Sequence, residues 1–131
     1  MSNAPVMMDK AVMAGEGLAE IPQWPAEILK SGCETHKVAP LFGGEFVVLV
    51  YEGEDGVLEF NDYPFDEYCY VIQGSSILTP EGGEPQTFNV GDHFVVPKGF
   101  SGTWELKDNF RELIIMESAA NEVGMKKLGL A

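Results

Sequence analysis

The sequence is short of positive charge. Eight lysines and arginines face 21 aspartates and glutamates, leaving a net charge of −13. No basic stripe offsets that field, so nucleic acid is excluded as a partner. Histidine is scarce, with only His36 and His93. A transition-metal site built on imidazoles therefore has little to draw on. The two cysteines, Cys33 and Cys69, cannot form a disulfide framework and read as free thiols of a reducing compartment. No apolar run is long enough to cross a bilayer, Phe46 to Tyr51 being among the longest. Met1 to Gly15 lacks the charged-then-apolar pattern of a secretion signal. The expectation is a cytoplasmic protein with no membrane contact.

What remains suits one domain with a core: 131 residues, 45% of them hydrophobic. Residues 1–42 read as an N-terminal arm. Ile21-Pro-Gln-Trp-Pro25 is extended or turned because its prolines block helix, and Ala26 to Lys30 suggests one helical turn. Trp24 and Ile28 are its expected anchors, on the barrel or on a neighbouring subunit. From Gly43 the pattern is β. Phe46 to Tyr51, Val57 to Tyr63, Glu67 to Gln73, Ser76 to Thr79, Gln86 to Asn89, His93 to Val96, Thr103 to Leu106 and Phe110 to Glu117 read as short strands. Turn signals such as Pro80-Glu-Gly-Gly83 separate them. Such spacing predicts a sandwich or barrel over residues 43–118, with 119–131 as a short helical or loose tail.

Within this β region Glu67 and Gly74 are separated by six residues, and Gly91, five residues, then Pro97-Lys-Gly99 follow. The stretch Asp66-Glu-Tyr-Cys-Tyr70 and the stretch Pro97-Lys-Gly-Phe-Ser-Gly-Thr-Trp-Glu105 complete the pattern. It resembles the double motif of the cupin superfamily. The sharper likeness is to its short single-domain branch, related to the ethanolamine-utilisation and ureidoglycine-aminohydrolase cupins. The resemblance implies an all-β fold, a double-stranded β-helix or jelly-roll barrel, and a homodimer. It also implies four metal-ligand positions, which fall on Asn61, Tyr63, Glu67 and Gly102. Only Glu67 matches the family's ligands, so the metal site is degenerate and no cofactor is expected. An Arg-Lys pair common in that branch's last strand reads Arg111-Glu112 here.

Alternation of side chains along strands extends the reading. With Glu67 inward, Cys69 and Val71 are inward while Tyr68 and Tyr70 face out. Asn61 and Tyr63 share the inner face, and Gly102 leaves a hole that Trp104 partly fills. The expected pocket is lined by Asn61, Tyr63, Glu67, Cys69 and Trp104, a mostly apolar site for a small polar metabolite. Burial would raise the Glu67 carboxyl toward neutrality, so Glu67, with Tyr63 beside it, is also a candidate acid or base. That alternative is an enzyme of isomerase, lyase or amidohydrolase type. Equally, Glu67 could simply brace the barrel through Tyr63. Cys69 reads as an inert core thiol, since no electropositive neighbour is visible. His93 reads as a surface residue and His36 as structural or exposed. Glu112, turned inward beside Glu67, could help hold a hard cation, and a divalent metal is the lesser alternative.

Overall fold

The computed structural model describes residues 3–130. The elements in chain order are α1 (Lys10–Met13), β1 (Ala19–Glu20), β2 (Leu29–Gly32), β3 (His36–Gly43), β4 (Phe46–Gly53), β5 (Gly56–Phe60), β6 (Glu67–Pro80), β7 (Gln86–Asn89), β8 (His93–Val96), β9 (Gly102–Glu117) and α2 (Ser118–Lys127). All strand pairs are antiparallel. The all-β barrel expected from the motif is what the chain forms, a single curled sheet.

Strand β9 is its axis. Its first half pairs with β5, its second half with β4, and β6 runs along nearly all of it. The expectation of four short strands over these two segments is corrected: β6 and β9 are continuous. Their register shifts around Gly74, which adopts a φ of 70°, opposite Asp108 and Asn109 at 57° and 53°. A Cβ on Gly74 would stand 2.3 Å from the Lys107 carbonyl oxygen. The turn-like residues therefore bulge the ladder instead of ending it, and a bulge is how a long strand bends around a barrel.

The first 42 residues contribute strands of this sheet. β3 pairs with β4, and β2 with β5. The helical turn expected over Ala26 to Lys30 is a single turn, with the Ile28 and Leu29 N–H groups both donating to Pro25 O, and it ends sooner because β2 begins at Leu29. Trp24 and Ile28 are buried anchors, on this chain's own barrel. Trp24 packs on the rings of His36 and Phe60, and its Nε1–H donates to Tyr51 Oη at 3.3 Å. His36 is also buried. Its Nε2–H donates to Pro22 O, so Nδ1 accepts the Tyr51 O–H at 3.1 Å. Arg111 ties the N-terminus down, bonding Glu52 at 2.8 Å, Gln73 at 3.1 Å and the Met13 carbonyl at 3.4 Å. His93 is exposed against Tyr68 and Tyr70, and both cysteines are free. No helix among the described residues is long and apolar enough to cross a membrane.

The tail expected over 119–131 is mostly α2, with Ala131 outside the described residues, as are Met1 and Ser2. Gly124 lets this helix close onto the barrel, where a Cβ would meet Phe65 Cε1 at 2.1 Å. Phe65 is 1% exposed, so its ring has nowhere to go. Alanine would improve helix propensity by about 1 kcal/mol. The overpacking penalty of about 1–3 kcal/mol outweighs it. Gly124→Ala should therefore lower the denaturation midpoint and speed tryptic cleavage after Lys126 and Lys127. An unchanged cleavage rate would show that α2 docks without this contact.

Candidate functional site

The inner faces of the barrel enclose a cavity of ≈ 220 Å³. Leu49 and Tyr51 line it from β4, Leu58 and Phe60 from β5, Glu67 from β6, and Trp104, Leu106, Glu112, Ile114 and Met116 from β9. Tyr63 completes the wall from the loop after β5. The N-terminal segment closes one side with Ile21 and Trp24, and the C-terminal segment adds Asn121, Met125, Leu128 and Leu130. No lysine, arginine or histidine lines it among the described residues.

Two carboxyl groups stand in this apolar wall because two strand faces converge. Before the bulge on β6 the buried positions are Glu67, Cys69 and Val71, and after it on β9 they are Phe110, Glu112, Ile114 and Met116. The register sets Val71 opposite Glu112 and Cys69 opposite Ile114. Glu67, Cys69 and Glu112 consequently each offer a donor atom within 4.8 Å of the others. Glu67 and Glu112 are each only 2% exposed.

Their surroundings separate the two acids. Glu67 accepts the Tyr63 O–H at Oε2, 3.0 Å, and the Cys69 S–H at Oε1, 3.2 Å. Burial pushes its carboxyl up to about 7, and those two donors hold it from going higher. Glu112 has an Oε1 with no partner. Burial, then the Glu67 charge, pushes it well above the usual carboxylate range. Burial thus keeps the two from both ionising near neutral pH, and they titrate as a pair. Burial likewise raises the Cys69 thiol and the Tyr63 phenol. Trp104 Nε1 is a second buried polar atom without a partner.

Of the five expected pocket residues, Tyr63, Glu67 and Trp104 line the cavity. Cys69 is wholly buried behind them against Glu67. Asn61 is a correction. It is exposed, accepts from Ser101 Oγ at 3.4 Å, and belongs to a surface groove with Asp62 and Lys127. The alternation assumed through Tyr63 stops at Phe60, where β5 ends and Asp62 turns the chain with a φ of 60°. Phe60 takes the inner position instead. Gly102 is a second correction: it leaves no hole, since a Cβ there would stand 2.1 Å from the Thr79 carbonyl oxygen. Glu112 is the functional neighbour that alternation along β9 could have ranked higher. Tyr51 and the α2 residues gave no signal, because they reach the cavity only through the sheet's closure.

The residues do not fit the metal that the fold implies. At its four ligand positions stand an outward Asn61, a Tyr63 that donates to Glu67, Glu67 itself, and a glycine. Glu67, Cys69 and Glu112 are a nearby donor set, but both Glu67 oxygens already accept hydrogen bonds and the thiol is held protonated. A transition metal would have to break those bonds first.

The sequence matches the family model described as an EutQ-like cupin domain over residues 41–112. No curated protein matches it. Among solved structures it is similar to an ethanolamine utilization protein Q from Salmonella typhimurium, with 16% identity, a TM-score of 0.57, and coverage of 79% of this chain and 95% of that one. An RmlC-like cupin from Shewanella frigidimarina gives 15%, 0.58, 83% and 91%. The polyketide cyclase RemF from Streptomyces resistomycificus gives 19%, 0.54, 72% and 74%. At these identities the likeness is one of fold.

Two outcomes follow from the acid pair. A carboxyl raised in the folded state adds stability below its unfolded value, and that stability is lost as pH rises through the folded value. For Glu67 the window runs from 4.5 to about 7 and costs on the order of 3 kcal/mol above it. Glu67→Gln should therefore be more stable than wild type at pH 8, with the advantage fading toward pH 5. Taking the difference between the two proteins cancels the opposite trend of His36, whose burial lowers its value. An advantage independent of pH would show that Glu67 does not titrate in this window. Second, protein purified without chelator or nickel resin should hold no stoichiometric transition metal by elemental analysis. One metal per chain would mean that Glu67, Cys69 and Glu112 rearrange around an ion.

Proposed function

This chain belongs to the EutQ-like cupin family, and on that premise we propose that its barrel binds one small organic molecule with an apolar body and a polar end at the acid pair. The observation behind this reading is the pairing of an apolar cavity with unmet polar atoms. Glu112 Oε1 and Trp104 Nε1 are buried without partners, and each such atom costs about 1–3 kcal/mol. A ligand that bonds them recovers that cost. The body of the ligand then meets Leu49, Leu58, Phe60, Ile114 and Met116. A polyketide cyclase shares the fold, which supports an organic molecule as the guest of such a barrel. The homodimer expected of the family would not be anchored by Trp24 and Ile28, which are spent on this chain's own core.

Acid–base catalysis on the bound molecule is the second reading. Glu67, at about 7, can take or give a proton at neutral pH, beside a second carboxyl that burial also raises. Tyr63, donating to Glu67, would position it. Glu67→Gln would separate the readings, abolishing turnover while a neutral ligand still binds.

The binding test uses three one-ring probes of matched size: para-fluorobenzylamine, para-fluorobenzyl alcohol and para-fluorobenzoate, followed by fluorine NMR. At least one should broaden and shift in the wild type. Ile114→Phe, which fills the cavity two residues from Glu112, should weaken that probe by at least about tenfold. If no probe binds, or if the filled cavity binds as well, the barrel is not a receptor for molecules of this size.

A further inference from the structure

We propose that the polar end of the ligand is an ammonium group: the barrel is a site for an organic amine with a compact apolar body. This deepens the reading that the barrel binds a small molecule and rests on it. The acid pair is the starting observation. Two carboxyl groups, each 2% exposed, face one cavity, and no cationic side chain among the described residues lines it. Buried acids are ordinarily paired with a cation or neutralised. Here the pair lacks its cation, and Glu112 Oε1 is an acceptor with nothing bonded to it.

The walls favour an organic cation over an ion. Trp24, Tyr51, Phe60, Tyr63 and Trp104 all line the cavity, and aromatic faces attract an ammonium, more strongly when it is desolvated. A lone metal ion would leave the apolar volume unfilled and would have to displace the two donors on Glu67. An alcohol could satisfy Glu112 Oε1 with one hydrogen bond, but it gains no charge attraction. A carboxylate would be repelled by its own kind. The protein's net charge of −13 works in the same direction, drawing cations toward it and driving anions off. Trp104 Nε1 is left to bond an acceptor elsewhere on the ligand.

Binding should also move protons. The titratable groups facing the acid pair are Tyr51 from β4, Tyr63 from the loop after β5, Cys69 from β6, and Glu67 and Glu112 themselves. Burial raises both phenols and the thiol, so these stay protonated and neutral across the physiological range. Protons released when the amine enters must then come from Glu67 and Glu112. Acidification reprotonates the pair, so amine affinity should fall as pH is lowered, while alcohol affinity should not.

The same three probes decide the matter. At about pH 7.5 para-fluorobenzylamine should bind at least about tenfold more tightly than para-fluorobenzyl alcohol, with para-fluorobenzoate weakest. Glu112→Gln should bring amine and alcohol within about threefold of each other, the amine losing far more than the alcohol. Should that variant not fold, Glu67→Gln serves for the same comparison. Alcohol or benzoate binding as tightly as the amine overturns the ammonium assignment but leaves the receptor reading standing. So does an equal loss of amine and alcohol in the variant, which would mark Glu112 as merely structural. Absence of binding by all three removes both.

Discussion

Two carboxyl groups sharing one apolar cavity are the constraint around which this molecule is built. Glu67 and Glu112 cannot both be ionised there without a cation: burial raises both, and the Glu67 charge raises Glu112 further. Their environments then part them. Glu67 has the Tyr63 O–H and the Cys69 S–H to stabilise its charge, whereas Glu112 Oε1 has nothing. Stability alone gives no reason for such a pair, because apolar residues of similar size would fold at least as well. The arrangement has a physical rationale once a guest with a polar end enters the barrel.

The fold delivers that pair by a simple device. Strands β6 and β9 are long, antiparallel and bulged at the same level, Gly74 opposite Asp108 and Asn109. The bulges bend both strands without breaking them, so their inward faces stay in one register above the bend. Val71 opposite Glu112 then forces Glu67, Cys69 and Glu112 into one neighbourhood. The chain's two ends finish the enclosure. Trp24 docks through Tyr51 and His36, and α2 docks through the gap at Gly124. A cavity open to water would let the carboxyl groups ionise freely, so the electrostatics of the pair depend on these closing segments.

The family pattern and the site diverge in an instructive way. The spacing of Glu67, Gly74, Gly91, Pro97 and Gly99 identified the barrel, and the family match over residues 41–112 agrees with it. The same spacing misled at Asn61, because counting along a motif assumes that the strand continues. It ends at Phe60, and the left-handed turn at Asp62 faces Asn61 outward. Gly102 misled similarly: a missing side chain was read as a hole, but the Thr79 backbone fills the space. Tyr63 survived the turn because its backbone is held by Phe100 and Gly99, at 2.8 Å each.

The sequence by itself determined the fold class, the acidic surface, the absence of an imidazole set and that Cys69 and Val71 share the face of Glu67. These follow from composition, turn residues and the two-residue period of a strand, all of which are local. Only the tertiary structure decided that Glu112 faces Glu67, that Cys69 lies behind them, and that Trp24 and α2 close the cavity. Those contacts join residues 45 apart for the acid pair and nearly the whole chain for the two ends. Their placement depends on register, bulge position and barrel closure. A strand's period says which side chains share a face, but only pairing with its neighbours says which other face they meet.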